Sequence, residues 1–312
     1  MSQASFESQN QSVVDEGYAG QRWLVEERDA CGVGFIADQQ GRESHDLVMK
    51  ALGGLTCMEH RGGCSADQDS GDGAGVMTGI PWEILQQWAS ENAVALQPEQ
   101  VGVGMVFLPQ DAAIAARSRE IVGQVVAEEG LKVLGWRVVP VKPELLGVQA
   151  RDNQPQIEQL LVQSDSLRED DLERKLYLIR KQIQRRLEAQ SEAEFLEFYM
   201  CSFSHRTIVY KGMVRSEVLG RFYADFENPA FKSAFAVYHR RFSTNTMPKW
   251  HLAQPMRLLG HNGEINTLLG NVNWMVARQP ELQHEVWRDR ISTLQPTVNP
   301  NNSDSANLDN VM

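Results

Sequence analysis

Cys31 stands between an acidic, polar leader and the strand-like run GVGFIAD. A cysteine attacks as the thiolate, which needs a nearby base or a positive potential. Neither His nor Lys occurs in the twelve residues after Cys31, so its base is either a distant residue or its own α-amine. An α-amine with a pKa near ~8 is a workable base, but it exists only if residues 1–30 are removed. The competing interpretation is an inert, buried thiol.

Five motifs follow one another along the chain: CGVGFIAD, EHRGG, HRRFSTNT, LLGHNGEINTLLGN and SDSANLD. They span Ala30 to the end of the sequence. As a set they resemble the class II glutamine amidotransferase domain of glutamate synthases, in particular the large or ferredoxin-dependent chains of cyanobacteria and plastids. The resemblance implies that a propeptide, residues 1–30, is removed. The new terminal Cys31 of a domain over 31–312 then attacks the side-chain amide of glutamine.

The resemblance also implies the catalytic groups. Cys31 is the nucleophile, and its freed amine is the general base. Asn262 and Gly263 of HNGE match the oxyanion hole, in which a side-chain amide and a backbone N–H donate to the oxygen of the tetrahedral intermediate. From the residues alone, a buried asparagine at a strand-to-helix turn could equally cap that turn.

Glutamine carries a carboxylate and an ammonium group, so its pocket needs one fixed cation and one fixed anion. Arg241 matches the family arginine, whose planar fork grips a carboxylate, and Thr244 and Asn245 add contacts. Asp304 matches the acidic residue that takes the ammonium, and it is also a candidate helix N-cap. Arg240, beside an aromatic residue, is interpreted as a solvated surface group.

The segment His60, Arg61 and Gly62 matches the HRG signature of the class, and we expect it to shape the pocket without taking part in bond breaking. Cys57, His60 and Cys64 also have a spacing that suggests zinc, although no second pair supplies the missing ligands.

The loop DQDSGDGAGV mimics part of a calcium-binding loop. The twelfth position counted from Asp67 is Thr78, where that motif requires Glu. Phosphate-binding, flavin and nicotinamide fingerprints are absent from the sequence. We therefore expect neither a metal nor a cofactor in this chain.

Periodicity predicts mixed α and β content. Strands are predicted near 75–80, at 101–108, 132–141, 197–211 and 233–242, and in MRLLG before HNGE. Helices are predicted at 44–58, at 111–129 with Gly130 as the stop, along the core stripe from Leu172 to Leu187, and for about 14 residues after HNGE. The resemblance, rather than the periodicity, implies an α+β fold: a four-layer αββα sandwich of the N-terminal nucleophile hydrolases, with Cys31 beginning a central strand.

The composition is that of a globular protein, with 42% hydrophobic and 23% charged residues. A formal charge of -11 argues against nucleic acid as the main partner. No run approaches the roughly 18 apolar residues of a membrane span. The acidic leader and the four cysteines predict a cytoplasmic protein with reduced thiols. The helical pattern beginning at SDSANLD stops early, so we expect a fragment of a longer protein.

The first functional hypothesis is hydrolysis of L-glutamine to L-glutamate and ammonia through a γ-glutamyl thioester on Cys31. The resemblance implies that ammonia is channelled to a downstream synthase domain acting on 2-oxoglutarate. It also implies FMN, an iron-sulfur cluster, and ferredoxin or an NAD(P)H-linked subunit as electron donor in the parent protein. The alternatives are a class II amidotransferase with another ammonia acceptor, and a non-catalytic glutamine-sensing or metal-binding module that needs no terminal cysteine.

Overall fold

The structure is a computed structural model that describes residues 32–63, 67, 69–241, 248–263, 265–300 and 302–312. The expected propeptide, residues 1–30, and four of the candidate residues, Cys31, Cys64, Thr244 and Asn245, lie outside the described residues. The roles given to them stay predictions.

Eight strands in the described part of the chain form two antiparallel sheets. The first sheet has the order β1-β8-β2-β7, with β1 at Gly32–Ala37, β2 at Ala74–Gly79, β7 at Thr207–Gly212 and β8 at Phe235–Arg240. The second has the order β4-β5-β3-β6, with β3 at Val101–Leu108, β4 at Lys132–Val138, β5 at Gln156–Gln163 and β6 at Tyr199–Ser204. Strand β8 is therefore paired on both sides, and it ends at Arg240.

The same residues contain eight α-helices. They are α1 at His45–Cys57, α2 at Trp82–Glu91, α3 at Ala112–Glu128, α4 at Val148–Asp152, α5 at Glu169–Glu188, α6 at Ser216–Phe222, α7 at Leu268–Arg278 and α8 at Asp304–Val311. Helices α1 and α6 pack on the first sheet, whereas α3 and α5 pack on the second. The resulting order of helix, sheet, sheet and helix is the α+β sandwich that was expected.

Local sequence explains where the predicted helices end. The Asp111 side chain accepts a hydrogen bond from the Ala113 N–H at 2.9 Å and so caps the start of α3. Gly130, with a φ of +79°, follows the end of the same helix in a conformation that disfavours side chains. The helices predicted at 44–58 and 111–129 are confirmed within one residue at each end.

Two apolar clusters form the core, and β3 contributes to both. Its alternating side chains Val103 and Met105 join a cluster shared with the first sheet, whereas Val106 joins the cluster under α3 and α5. The predicted stripe on α5 is confirmed as core, since all its members are buried: Leu172, Leu176, Ile179, Ile183 and Leu187.

The segment before HNGE is not a strand, although its apolar residues predicted one. The Leu258 N–H donates to the Asp309 side chain at 2.6 Å instead of entering a ladder. The following helix, α7, begins only at Leu268 and has 11 residues. Residues 197–211, predicted as one strand region, contain two strands, β6 in the second sheet and β7 in the first.

Strand β1 lies at the edge of the described sheet, beside β8 alone. Its Phe35 side chain is 78% exposed. The expected central position of the strand after Cys31 is therefore not found among the described strands, where β8 and β2 occupy the centre.

Among the described residues, no helix has the length and apolarity needed to cross a membrane. Those residues also contain no group of three or more His, Cys, Asp or Glu that could hold a metal ion.

Candidate active site

The end of β8 places Arg240 inside the protein. Its side chain is 0% exposed, so the interpretation as a solvated surface group is wrong. The guanidinium forms ion pairs with Asp72 and with Glu59, and it donates to the Gly73 carbonyl at 3.1 Å. Sequence reasoning missed these acids because they are far away along the chain, and only the fold brings them to Arg240.

The HRG segment packs directly against this arginine. A Cβ added at Gly62 would lie 2.0 Å from the Arg240 Cζ, so only glycine leaves room for the guanidinium. The neighbouring Gly63 N–H donates to Asp72 Oδ2 at 2.9 Å. The segment thus lines the buried charge cluster. The roles of His60, Arg61 and Gly62 in shaping the substrate pocket stay predictions.

Replacement of Arg240 by methionine tests whether this charge is structural. We expect the free energy of unfolding to fall by about 3 kcal/mol, because a buried ion pair loses one partner while Asp72 stays buried. Arg206→Met is the control, since Arg206 pairs with Asp170 at the surface. Urea unfolding measures the free energy of unfolding of both variants. Equally small decreases in the two would mean that Arg240 is a solvated surface group after all.

Arg241 follows β8 in a strained backbone conformation. Its φ is +95°, a region that residues with side chains rarely adopt. The Arg241 N–H donates to the Gly73 carbonyl at 2.7 Å, and its Nε lies 3.1 Å from Asp72 Oδ2. Asp72 therefore orients the guanidinium that was predicted to bind the substrate carboxylate.

His239 connects this arginine to the HNGE turn. The imidazole is 0% exposed, with Nδ1 3.1 Å from the Arg241 carbonyl and Nε2 2.9 Å from the His261 carbonyl. Burial lowers the pKa of His239 to about 4, against hydrogen bonds with both carbonyls and with the Asn262 side chain that raise it. The ring is therefore neutral at pH 7. Its single N–H donates to one carbonyl at a time.

Asn262 and Gly263, the predicted oxyanion donors, are exposed rather than buried. The Gly263 N–H donates to Nδ1 of the His261 side chain at 3.1 Å. In this conformation the backbone N–H of Gly263 already donates a hydrogen bond to the His261 side chain. It must leave His261 before it can donate to a substrate oxygen.

Asp304 lies on the other side of the turn and is 2% exposed. Its Oδ2 accepts from the Ile265 N–H at 3.3 Å, and its Oδ1 accepts from the Ser305 N–H at 2.6 Å. The helix cap is Ser303, whose side chain accepts from the Ala306 N–H, so the N-cap role considered for Asp304 is wrong. Asp304 is the first residue of α8 and lines a groove of about 720 Å³.

Gln254 completes the connection and was missed by sequence reasoning. This side chain is 2% exposed. Its Oε1 accepts from the His261 N–H at 3.3 Å, and its Nε2 donates to Ser305 Oγ at 3.4 Å. The Gln254 N–H donates to the Arg241 carbonyl at 3.4 Å. The structure thus brings Arg241, the HNGE turn and the start of α8 together.

The neutral state of His239 predicts a pH dependence of stability. Its folded pKa of about 4 lies below the ordinary value of 6.5. The unfolded chain therefore takes up a proton that the folded chain excludes, and stability falls as the pH drops from 6.5 towards 4. The full contribution of the His239 pKa shift to the free energy of unfolding is on the order of 3 kcal/mol. His251, with its pKa lowered to about 4 by burial, contributes in the same direction.

His239→Gln tests this dependence by urea unfolding across that pH range. As the pH falls, the free energy of unfolding of the variant is expected to decrease less steeply than that of the wild type. The part of the decrease that comes from His251 should remain. Parallel curves for the two proteins would contradict the neutral, buried state of His239.

The family profile described as class-II glutamine amidotransferases matches residues 31–312. The chain belongs to the class II glutamine amidotransferases. The two antiparallel sheets between helices are accordingly the α+β sandwich of the N-terminal nucleophile hydrolases.

Relatives of this amidotransferase include proteins named as ferredoxin-dependent glutamate synthases. One from Synechocystis sp. is 58% identical over 96% of this chain and 19% of its own length. One from Pyropia yezoensis is 55% identical over 92% of this chain and 18% of its own length. A protein named as chloroplastic from Oryza sativa subsp. japonica is 53% identical with the same coverages, 92% and 18%. The chain thus spans about a fifth of the length of these relatives.

Proposed function

We propose that this chain hydrolyses L-glutamine to L-glutamate and ammonia with Cys31 as the nucleophile. One observation carries the proposal: the contacts of His239, Gln254 and Ser305 join Arg241, the HNGE turn and Asp304 into one site. Gly32, the residue bonded to Cys31, pairs with Arg240 next to that site. The family match that starts at Cys31 supports the same proposal.

The proposed reaction has two stages, after removal of residues 1–30. In the first, the α-amine of Cys31 takes the thiol proton, and the thiolate bonds to the side-chain amide carbon of glutamine. Asn262 and Gly263 stabilise the oxyanion, and the C–N bond breaks as the amine returns the proton to departing ammonia. In the second, water attacks the thioester, which releases glutamate and restores the thiol.

Substrate recognition in this proposal uses opposite charges at the two ends of the site. Arg241 pairs with the α-carboxylate of glutamine. Asp72 orients the Arg241 guanidinium through an ion pair with its Nε. Asp304 pairs with the α-ammonium. Thr244 and Asn245, which follow Arg241 in the same sequence motif, are proposed to add contacts with the substrate.

Arg241→Lys tests the binding role. An ammonium group lacks the planar fork, so KM for glutamine is expected to rise roughly 10- to 100-fold with a small change in kcat. Arg221→Lys, an exposed change on α6, is the control. Steady-state kinetics give both constants, and an unchanged KM in the Arg241 variant means that another group binds the carboxylate.

We further propose that the parent protein is a ferredoxin-dependent glutamate synthase, a proposal supported by the names of the relatives. Its synthase domain would add the ammonia to 2-oxoglutarate, with FMN, an iron-sulfur cluster and ferredoxin supplying electrons. An NAD(P)H-linked donor is the alternative, and the relatives favour ferredoxin. The same names weigh against another ammonia acceptor.

A cytoplasmic location remains the prediction for this chain, whereas several relatives are named as chloroplastic. A non-catalytic glutamine sensor is the remaining alternative. It would bind glutamine without producing ammonia, so a glutaminase assay of the processed chain separates the two functions.

A further inference from the structure

A second cavity, of about 350 Å³, lies between α5, the start of β6 and α8. It is separate from the groove that contains Asp304. Helix α8 presents Asp304 and Asn307 to the groove, whereas it presents Ala306, Asp309 and Asn310 to the cavity.

Two arginines line this cavity and lie over the same aromatic ring. The guanidinium carbons of Arg180 and Arg257 are 5.2 and 4.8 Å from the centre of the Tyr177 ring. Arg257 has an acidic partner, because its Nε lies 3.4 Å from Asp309 Oδ2 and its Nη2 donates to the Asp309 carbonyl at 2.9 Å.

Arg180 has no such acidic partner in the described part of the chain. Its Nη2 donates to the neutral Asn310 side chain at 3.2 Å. Its Nε is buried and has no hydrogen-bond partner among the described residues. Burial, together with the charge of Arg257, lowers the pKa of Arg180 to about 10. This guanidinium remains charged at pH 7, and among the described residues no carboxylate lies within ion-pair distance of it.

Glu188 and Lys249 also line the cavity, and Glu188 accepts from Gln184 Nε2 at 2.8 Å. Two further cations lie outside the cavity wall. Lys181 and Lys211 are both buried, and each donates to a backbone carbonyl rather than to an acid. His251, on the cavity wall, is neutral because burial lowers its pKa to about 4. Asp309 is already engaged by Arg257 and by the Leu258 N–H. Arg180 is half-buried. Partial burial of a cation that has no acidic partner is costly, and a bound anion lowers that cost.

We propose that this cavity binds a small organic carboxylate, with its charged group paired to Arg180. The guanidinium fork fits the two oxygens of a carboxylate. The side chains of Gln184, Asn302 and Asn310 also line the cavity, where Gln184 donates to Glu188 and Asn310 accepts from Arg180. Leu187 and Phe198 provide an apolar wall for the carbon skeleton.

Isothermal titration of the whole chain with succinate as the probe tests this site. Saturable binding is expected, and Arg180→Met is expected to weaken it at least tenfold. Arg186→Met is the control, because Arg186 is on the same helix but pairs with Glu128 outside the cavity. A parallel titration with inorganic phosphate is expected to give weaker binding than succinate.

A melting experiment separates a binding role from a structural one. Removal of a half-buried charge that has no acidic partner is expected to be neutral or stabilising, so Arg180→Met is expected to melt at or above the wild-type temperature. Absence of saturable succinate binding, equal affinity in the variant, tighter phosphate binding or a lowered melting temperature would each overturn the proposal. None of these measurements reads glutaminase activity, so the outcome is independent of the proposed function.

Discussion

Replacing Cys31 by alanine is expected to abolish glutaminase activity, with a loss of at least about 10³-fold in kcat. The reason is that neither of the two thiols in the described part of the chain can take its place. Cys201 is buried, and burial raises the pKa of its thiol to about 12, so it is protonated and shielded from substrate. Cys57 is exposed, but it is the last residue of α1 rather than part of the site.

Cys57→Ala is the matched control for that experiment. It removes an exposed thiol of the same kind and is expected to leave kcat and KM at their wild-type values. Ammonia release from glutamine is measured for both variants after processing. Appreciable turnover by Cys31→Ala, or its loss in Cys57→Ala alone, would falsify the assignment of the nucleophile.

Asn262→Ala is expected to have the second largest effect, a fall in kcat of roughly 10²- to 10³-fold with little change in KM. The Asn262 amide is proposed to stabilise charge that develops only after the thiolate attacks, so its loss affects the transition state more than the bound substrate. Its effect is expected to be large because the other proposed donor, the Gly263 N–H, donates to His261 Nδ1 in this structure.

The control for this variant is Asn153→Ala, which removes an exposed amide just after α4. Both variants are assayed at saturating and limiting glutamine, so that kcat and KM are separated. A rise in KM at unchanged kcat would place Asn262 in substrate binding, contrary to its proposed role as an oxyanion donor.

Local sequence patterns predicted the helices whose buried face or end is determined by neighbouring residues. The stripe from Leu172 to Leu187 identified α5, since helical spacing of apolar residues requires a buried face. Gly130 marked the end of α3 because a positive φ is easily adopted by glycine. The layer order, in contrast, came only through the resemblance, because periodicity does not state which strands pair.

The errors arose where distant residues decide the local structure. Arg240 was interpreted as solvated, yet Asp72 and Glu59 reach it only after β8 has paired with β2. The segment before HNGE was predicted as a strand, yet Asp309 takes the Leu258 N–H.

The candidate site shows the same division. Arg241, Asn262 and Asp304 were found because they stand in motifs that the family shares. His239 stands in the HRRF motif and could have been found there, since a histidine beside a binding arginine is a candidate positioning group. Gln254 gave no signal in the sequence, because its role depends on contacts with His261 and Ser305.

The central claim is that the thiol of Cys31 is activated by its own α-amine. The most direct measurement combines intact mass with a glutaminase assay on the same purified sample. The account predicts that active protein has the mass of a chain beginning at Cys31, and that chains still carrying Met1 release negligible ammonia. Full turnover by a chain that retains Met1 would contradict it.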